Sequence, residues 1–415
     1  MDTDTSPAGL PEPYVLDPRA TDHHGEAAAL RALGPVVRVV LPGGVPAWTI
    51  TSHTLLKQFL EHPRVSKNPA NWTWWSQRRI PAGWPLTGMV DVRNMVTADG
   101  EDHRRLRQPV TAALTRGRVE ALVPRIEYLA GKLADALPAA EDEDGRVDVR
   151  ANYAYPLPMT VICELLGIPE EDRAQMRRLT ASIFDSTASA QEVQRTQGDI
   201  RTVLARLIAA RKGQRPDHAR DLTDALLATQ EARRLTEDEL PDTLWVLITA
   251  GHETTVSSIC NTVRALVSHP EQLDMVRTMG DTGWRAAVEE ALRWDAPIGN
   301  FLARYPREDI TLAGVTIPAG DAVLAPYSLV GRDPEHHGPM AHEFDVTRTA
   351  RRHMAFGGGP HLCPGAFLAR TETVIAVRTL LTAYPGLHLA DEAPEPAVPS
   401  LITNAPHRLS ARLTY

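Results

Sequence analysis

The stretch that decides the fold is FGGGPHLCPGAFLAR, residues Phe356–Arg370, which holds one of the three cysteines in a chain of 415 residues. Glycines stand on both sides of Cys363, and the residues after it are typical of the first turn of a helix. A dinucleotide-binding loop is excluded, because Leu362 stands where the G-x-G-x-x-G spacing requires glycine. Cys363 is then a nucleophile activated by a base such as His361, a buried structural thiol, or a thiolate ligand of iron.

The glycines around the cysteine favour the iron ligand. Backbone that carries no side chain can approach a flat macrocycle, while main-chain N–H groups and the N-terminus of the following helix favour an anionic sulfur. A nucleophile and its base are rarely built from residues only two positions apart. A structural thiol leaves unexplained the four glycines of the motif, which are Gly357, Gly358, Gly359 and Gly365.

A second stretch, LWVLITAGHETTVSSICNTV over Leu244–Val263, predicts a helix in the middle of the protein, because it begins apolar on all sides. Polar residues then follow where packing alone favours leucine. The Thr254 hydroxyl can bond back to the Ala250 carbonyl, and Gly251 beside it lets the helix bulge around a small ligand and water. A kinked structural helix is one explanation. Glu253 next to Thr254, an acid beside an alcohol, is better explained as a proton-delivery pair.

Two shorter motifs carry charged pairs at helical spacing. Glu290 and Arg293 lie three residues apart in EEALR and, taken alone, form an ordinary surface pair. His103 and Arg107 lie four residues apart in DGEDHRRLR, so both can point donors at one anionic group. Taken alone, this second pair is better explained by a solvated basic helix face.

Together these motifs resemble those of the cytochrome P450 family. FGGGPHLCPG fits its F-x-x-G-x-x-x-C-x-G haem-thiolate signature, AGHETT its oxygen-activating helix and EALR its E-x-x-R motif, in the family's order and approximate spacing. The resemblance covers nearly the whole chain and is greatest to the soluble bacterial branch that includes steroid and macrolide-type hydroxylases. It implies a mainly α fold with small β-sheets (α+β), in one domain over residues 1–415 with a flexible N-terminus over residues 1–10.

The resemblance also implies roles for individual residues. Haem b lies between the buried helix and the cysteine loop, Cys363 is its axial iron ligand, and Phe356 shields the sulfur. Thr254 bonds the bound dioxygen or its water, and Glu253 relays protons from solvent. Ala250 and Gly251 line the distal face of the haem. The residues at positions that hold the haem propionates are His103, Arg107, Arg304 and His353.

The E-x-x-R pair is structural in the family and fixes the segment that leads to the cysteine loop. Family members often have arginine immediately before the phenylalanine of EFDVTR, whereas Glu343 stands there in this chain. The third partner of Glu290 and Arg293 is therefore left open, with Arg348 as the candidate.

The implied function is a monooxygenase that inserts one oxygen atom of O2 into a hydrophobic steroid, terpenoid or polyketide/macrolide substrate. The alternatives are an oxidative coupling or peroxide-driven enzyme of the same fold and a haem-binding sensor. Electrons are expected from a ferredoxin and its NAD(P)H-dependent reductase, docked through arginines on the cysteine side, namely Arg104, Arg105, Arg351 and Arg352. The expected substrate contacts are Trp72, Met89, Val90, Leu247, Ala250, Ile298, Asn300, Leu401 and Ile402.

Composition excludes several other classes of protein. The net charge of -8, the pI near 6.0 and the scattered basic residues give no reason to expect nucleic-acid binding. No stretch approaches 18 uninterrupted apolar residues, and the N-terminus lacks the pattern of a signal peptide. A cytoplasmic, unanchored monomer is therefore expected. The three cysteines are widely spaced without a CxxC pair, which supports neither a disulfide framework nor a structural zinc site.

The remaining patterns predict mostly helix from Asp99 to Asn261, with small sheets at the margins. Two hairpins are predicted, one over Val36–Ile50 and one over Ile310–Ala325 that turns through Pro318–Gly320. Between the first hairpin and the helices, Asn68–Met95 is an irregular segment rich in tryptophan, with equal support for rim packing and for covering a ligand.

Overall fold

Helices dominate the computed structural model, which describes residues 12–181, 188–214, 221–231, 235–349, 352–391 and 395–414. The predicted mainly α fold is confirmed. Most of the helices begin and end within a few residues of the bounds that their apolar periodicity predicts. The helices of the described residues are α1 (His23–Leu33), α2 (His53–Glu61), α3 (Thr73–Ser76), α4 (Gly100–Ala113), α5 (Arg116–Ala136), α6 (Pro156–Leu166), α7 (Glu170–Ala181), α8 (Ala190–Arg211), α9 (Leu222–Glu231), α10 (Glu239–Val267), α11 (Pro270–Met279), α12 (Asp281–Trp294), α13 (Tyr327–Val330), α14 (Pro334–His337) and α15 (Ala366–Ala383).

Three small sheets lie beside the helices. The largest has six strands in the order β1-β2-β3-β9-β6-β4, the second has the order β10-β11-β5, and β7 pairs with β8 alone. The strands are β1 (Tyr14–Val15), β2 (Val36–Leu41), β3 (Val45–Ile50), β4 (Val65–Ser66), β5 (Val147–Asp148), β6 (Phe301–Pro306), β7 (Ile310–Leu312), β8 (Val315–Ile317), β9 (Val323–Ala325), β10 (His388–Leu389) and β11 (Ser410–Arg412).

The two predicted hairpins have different outcomes. The first is confirmed, because β2 and β3 pair antiparallel from Val36↔Ile50 to Leu41↔Val45. The second turns in a different place: β7 and β8 turn through Ala313 and Gly314, both with positive φ. The predicted turn over Pro318–Gly320 leads instead into β9, which joins the large sheet between β3 and β6. The prediction was wrong because two glycine turns stand six residues apart and both satisfy the same turn signal.

The long helix α10 forms the centre of the fold. It packs against α6, α12 and α15, and nearly all of its side chains from Leu240 to Leu266 are buried. As its apolar start predicts, it has no solvent-facing stripe in that region. It ends at Val267 rather than at the predicted Asn261, and it runs unbroken through Gly251.

The pair Glu290 and Arg293 is fully buried rather than exposed on the surface. Nε and Nη2 of Arg293 donate to the Glu290 carboxylate at 2.9 and 2.6 Å. Arg348 contacts the same carboxylate through Nε at 3.2 Å and is therefore the third partner, the candidate named from the sequence. Arg293 also donates to the main-chain carbonyls of Gly331 and Ala341, each at 2.7 Å. The network holds the chain between α13 and the cysteine loop against α12.

The tryptophan-rich segment is packed onto the large sheet. The indole of Trp72 stacks against Trp75 and against Tyr305 of β6, and Trp84 lies 5.7 Å from it between ring centroids. Trp72 and Trp84 are almost completely buried. Packing against the sheet therefore explains these two indoles. Within the described part of the chain, no helix combines the length and the apolar character that a membrane span requires.

Candidate active site

The cysteine loop connects a short 3-10 turn, Gly359–His361, to the start of α15. The Cys363 amide donates to the Phe356 carbonyl at 2.9 Å, which closes the loop on itself. Gly357 and Gly359 have φ of 75° and 64°, a backbone region that favours glycine. A Cβ at Gly359 would lie 2.4 Å from the Leu60 carbonyl oxygen of α2. These two glycines are thus required by the turn itself and by the close contact with α2.

The thiol of Cys363 sits in a mixed environment. Burial raises its pKa, while the Gly365 backbone N–H and the charges of Arg107 and Arg370 act in the opposite direction. Arg107 also donates to the Leu362 carbonyl at 2.5 Å and so fixes the residue before the cysteine. The sequence predicted main-chain support for an anionic sulfur, and the Gly365 amide provides it. Arginine charges from α4 and α15 are a second source of that support.

The opposite wall of the same cavity belongs to α10. Ala250, Gly251 and Thr254 face this cavity together with Cys363. The Thr254 hydroxyl donates to the Ala250 carbonyl at 2.7 Å, as the sequence predicts. The cavity holds about 1360 Å³ of space free of protein atoms, including the part open to solvent. Small residues on α10 therefore leave room opposite the thiol.

Basic side chains line one end of the cavity, namely Lys67, Arg107, Arg304 and His361. The ring of His103 lies 4.2 Å from that of His361 between centroids. Burial and the neighbouring cationic groups lower the pKa of His361 to about 2 and that of Lys67 well below its usual value. Nη1 of Arg304 and Nε2 of His103 are buried and find no hydrogen-bond partner among the described residues. This end of the cavity is therefore suited to an anionic group.

These features fit a flat ligand with a metal at its centre and carboxylates at one edge. Cys363 offers a thiolate to the metal from one side, and α10 leaves space on the other side. The cluster of basic groups offers donors to carboxylates, and its buried, unpartnered nitrogen atoms are then satisfied. An iron porphyrin with two propionates has this chemistry, so the residues present fit a haem.

Two predicted haem contacts do not line the cavity themselves. His103 stands beside His361, which does line it, and His353 lies elsewhere. His353 does not line the cavity, and its Nε2 lies 3.2 Å from Oε2 of Glu289. Arg370 contacts the same carboxylate at 2.5 Å. His353 therefore braces α12 and α15 instead of facing a ligand. His361 takes the predicted place, and its position in the motif two residues before the cysteine was the available signal.

Comparison with known proteins decides the family. The family model described as Cytochrome P450 matches residues 169–279 and 284–409. The chain belongs to the cytochrome P450 family. The matched residues include α10 and the cysteine loop, so both walls of the cavity fall within the family's own pattern. The family implies a haem-thiolate cofactor, redox partners, O2 and a small substrate.

The relatives of this P450 are bacterial enzymes. The 2-hydroxy-5-methyl-1-naphthoate 7-hydroxylase of Streptomyces carzinostaticus is 37% identical, and the match covers 91% of this chain and 92% of that enzyme. The cytochrome P450 monooxygenase PikC of Streptomyces venezuelae is 41% identical over 89% of this chain and 86% of PikC. The solved structure of testosterone-bound CYP154C4 from Streptomyces sp. ATCC 11861 matches with a TM-score of 0.93 and 41% identity, covering 98% and 99% of the two chains. This P450 is an oxidoreductase of the monooxygenase type.

Glu253 lies beside Thr254 in sequence but faces away from the cavity of this P450. Its carboxylate does not line the cavity and contacts Nη2 of Arg150 at 2.5 Å. Arg150 belongs to a π-helical turn over residues Arg150–Ala154, directly before α6. Burial raises the pKa of Glu253, and the charge of Arg150 opposes that shift. Arg150 is a residue that sequence reasoning missed, because no local motif marks it.

A second buried acid, Glu372 of α15, does line the cavity. It is 3% exposed, and its Oε2 finds no hydrogen-bond partner among the residues that the structure describes. Burial alone raises its pKa well above the usual value for glutamate. Sequence reasoning missed it as well, although it lies nine residues after Cys363 on the helix that the motif begins.

The predicted substrate contacts of the P450 divide into two groups. Leu247, Ala250 and Ile298 line the cavity opposite or beside the cysteine. The others do not line it. Trp72 packs on the sheet, and the Asn300 amide donates to the Leu401 carbonyl at 3.2 Å. Met89, Val90, Leu401 and Ile402 pack with the residues of the large sheet. The cavity also has apolar wall residues that sequence reasoning did not name, among them Met95, Val96, Ile162 and Leu165.

The predicted docking arginines also differ from one another. Arg104 and Arg352 are exposed. Arg105 is bound to Glu239 of α10 through two contacts of 2.8 Å, so its charge is largely neutralised. Arg351 lies outside the described residues. Leu362, next to Cys363, is half exposed and marks the outer face of the loop.

Proposed function

We propose that this P450 binds haem b and inserts one oxygen atom of O2 into a hydrophobic polycyclic or macrocyclic substrate. The observation that carries the proposal is the single cavity in which the Cys363 thiol and the Thr254 hydroxyl stand on opposite walls. The haem, when bound, supplies the activation of dioxygen. Cys363 would hold its iron, while Arg107, Arg304 and the pair of histidines at the basic end would hold its carboxylates.

Thr254 is suited to hold a water molecule or a proton at the reacting face. Its hydroxyl hydrogen is donated to the Ala250 carbonyl, so its lone pairs are left to accept a hydrogen bond from the cavity. A proton donor such as a water molecule, when bound to Thr254, has its proton next to the site of oxygen reduction. Glu253 would relay the next proton: once its carboxylate exchanges Arg150 for water, it takes up a proton from that water and passes it on towards the cavity.

A direct test is the Thr254→Ala variant. We expect the variant to keep its haem and its substrate affinity, because the hydroxyl makes only one internal hydrogen bond on the helix. Most of the consumed O2 should then leave as peroxide instead of hydroxylated product. Thr255→Ala, on the next residue, is the matched control. If product per O2 stays at the wild-type ratio in Thr254→Ala, Thr254 does not have this role.

The class of substrate is proposed from the walls of the cavity. The side chains around α10 are mostly apolar, and Glu372 is the one acidic or basic wall residue outside the haem end among those described. One relative is named for a naphthoate substrate, and a structural neighbour holds testosterone. Steroids and aromatic polycycles should therefore shift the spin state of the ferric enzyme on binding. A panel of steroids, naphthoates and macrolides without any such shift would contradict this class.

We also propose that a ferredoxin and its NAD(P)H-dependent reductase supply the electrons to a monomeric enzyme. Arg104 lies one turn before Arg107, whose guanidinium contacts the cysteine loop, and Arg352 lies just before that loop. Their exposed charges suit an acidic partner. The double change Arg104→Glu and Arg352→Glu should slow ferredoxin-driven reduction at low salt by about tenfold or more. Arg201→Glu on α8 is the control. If it slows reduction as much as the double variant does, the proposed docking surface is wrong.

A further inference from the structure

Three histidines meet at a surface turn outside the haem cavity. His53 opens α2, while His336 and His337 end the short helix α14. One ring nitrogen of each histidine lies within 4.8 Å of a ring nitrogen of the other two. None of the three lines the cavity that holds Cys363. The cluster is therefore separate from the active site and takes no part in the proposed reaction.

Two of these rings have nitrogen atoms that the protein leaves unsatisfied. Nδ1 of His53 and Nε2 of His337 are buried, and the described residues offer neither of them a hydrogen-bond partner. His53 itself is only 4% exposed. A buried polar atom without a partner is costly, so such atoms commonly mark an unseen water or ion. Two of them in one cluster of histidines indicate a ligand that accepts lone pairs.

The surroundings of His53 orient its ring for such a ligand. The ring hydrogen-bonds the backbone of Arg352, while its Nδ1 is the unpartnered atom. A hydrogen bond from one ring nitrogen to a backbone carbonyl leaves the lone pair on the other nitrogen, which is the usual arrangement of a metal-binding histidine. The Asp333 carboxylate accepts from the His53 amide at 2.8 Å and fixes the start of α2 against α14.

The third histidine provides access from solvent. His336 is exposed and stacks on His53, with 3.5 Å between ring centroids and 10° between ring planes. Stacked rings do not aim at a common point, so His336 must tilt out of the stack to share a ligand. Its exposure makes this rotation possible without disturbing the core. His337 already stands nearly perpendicular to His53, at 82°.

We propose that His53, His336 and His337 form a binding site for a divalent transition-metal ion of the zinc type. Imidazole nitrogen is a preferred ligand of Zn²⁺, Cu²⁺ and Ni²⁺, and Zn²⁺ accepts three histidines with water in a fourth, tetrahedral position. Zn–N distances of about 2.0 to 2.1 Å require the nitrogens to approach to roughly 3.4 Å. The present separations therefore need only a small closure, which the tilt of His336 provides. The cysteines, from which no zinc site was expected, take no part.

Neighbouring arginines oppose a cation here, although the Glu290 carboxylate offsets part of their charge. Arg293 is bound to the Glu290 carboxylate, and Arg348 contacts the same carboxylate. Arg348 also donates to the His337 carbonyl at 3.1 Å. An ion bound to His337 would thus hold the turn to which Arg348 is attached and would tie α2 to the Glu290 network. The site is expected to stabilise the fold rather than to take part in oxygen chemistry.

The experiment measures Zn²⁺ binding to the haem-loaded enzyme without a polyhistidine tag, by competition with a chromophoric chelator. The wild-type enzyme should bind one equivalent of Zn²⁺ at the cluster, and Zn²⁺ should raise its melting temperature. His336→Ala should weaken binding by at least about tenfold, since loss even of an outer-shell partner costs 10–100-fold. His342→Ala removes an exposed histidine six residues away and is the control. His336→Cys keeps a zinc ligand and should restore binding.

Loss of binding in His336→Ala, with wild-type binding in His342→Ala and recovery in His336→Cys, supports the site. No stoichiometric binding by the wild-type enzyme overturns it, as does equal binding by the wild type and His336→Ala. Because His336 is exposed, its variants should fold normally, and the reduced, carbon-monoxide-bound spectrum of each variant verifies this. Co²⁺ in place of Zn²⁺ gives an independent readout, since tetrahedral coordination has its own absorption bands.

Discussion

Two of the buried arginine–glutamate pairs among the described residues are Arg293–Glu290 and Arg150–Glu253. They differ in how many of their polar atoms have a hydrogen-bond partner. Arg293 and Glu290 approach to 2.6 Å, and Arg150 and Glu253 to 2.5 Å. Glu290 also accepts from Arg348 and from the Asp345 amide, so both of its oxygens have partners. Oε2 of Glu253 has no hydrogen bond within the described part of the chain, and His252 Nδ1 lies 3.9 Å away.

This difference distinguishes a structural pair from one that can change state. A buried network in which every group is satisfied has nothing to gain from a rearrangement, and it therefore fixes the chain around it. A carboxylate with a free oxygen has an unfilled place for a proton or a water. Burial already raises the pKa of Glu253 against the effect of Arg150. The same two residue types thus give a structural brace in one place, while in the other place we propose that Glu253 carries a proton.

The largest effect is expected from Arg293→Ala. The change leaves the Glu290 carboxylate without its bidentate partner and removes donors from the Gly331, Ala341 and Glu343 carbonyls. Breaking a buried pair on one side costs about 3–5 kcal/mol. Unfolding in urea should show a loss of that size, together with poor retention of haem.

The matched control for this loss is Arg378→Ala. Arg378 pairs with Glu127 and Asp281 on the surface. Exposed pairs contribute about 0–1 kcal/mol, so the free energy of unfolding should barely change. Equal losses of unfolding free energy in the two variants would show that the buried Glu290 network stabilises the fold no more than a surface pair does.

A smaller effect, and one on turnover instead of folding, is expected from Glu253→Gln. Glutamine can still accept a hydrogen bond from Arg150, but it cannot carry a proton to the cavity. General acid catalysis contributes about 10²–10⁴-fold, so hydroxylation should fall by roughly a hundredfold. Haem content and the substrate-induced spin shift should remain close to those of the wild type. Stopped-flow kinetics of product formation measures the loss. Unchanged rates would show that Glu253, like Glu290, has only a structural role.

The sequence predicted the parts of the site that local spacing fixes. Cys363, Thr254 and the Glu290–Arg293 pair each lie in a motif whose geometry is set within one helix or one turn. The third partner of that pair was left open, and the structure shows that it is Arg348, the candidate that was named. The mainly α fold followed from apolar periodicity for the same reason, since burial of one helix face is a local pattern.

The sequence did not predict contacts that tertiary packing decides. His353 and His361 stand eight residues apart in one loop, and only the fold shows which of them faces the cavity. Arg150 reaches Glu253 from a turn about a hundred residues away, with no motif to mark it. Leu401 and Ile402 were expected at the substrate but pack with the large sheet. In each case the backbone path between distant segments selects the neighbours.

Glu372 extends the comparison to a buried acid that has no cation at all. Burial raises its pKa well above the usual value, and no arginine or lysine contributes to that shift. The folded state then holds a proton that the unfolded state releases. Its stabilising contribution is present below the ordinary pKa of glutamate and is lost as the pH rises towards the pKa of the folded state. Wild-type stability should therefore fall, relative to Glu372→Gln, as the pH is raised.

The test compares the free energies of unfolding of Glu372→Gln and wild type at several pH values from 6 to 9, with haem bound in both proteins. The difference between the two proteins should widen as the pH rises, because a higher pH favours the ionised glutamate of the unfolded state. Glu164→Gln is the control: Arg125 lowers the pKa of Glu164, so its contribution is lost only at low pH and should stay constant over this range. If the difference between Glu372→Gln and wild type is constant over this range, Glu372 does not change its protonation on folding. A buried carboxylate without a partner would then carry no pH-dependent cost, which would contradict the distinction drawn between the two pairs.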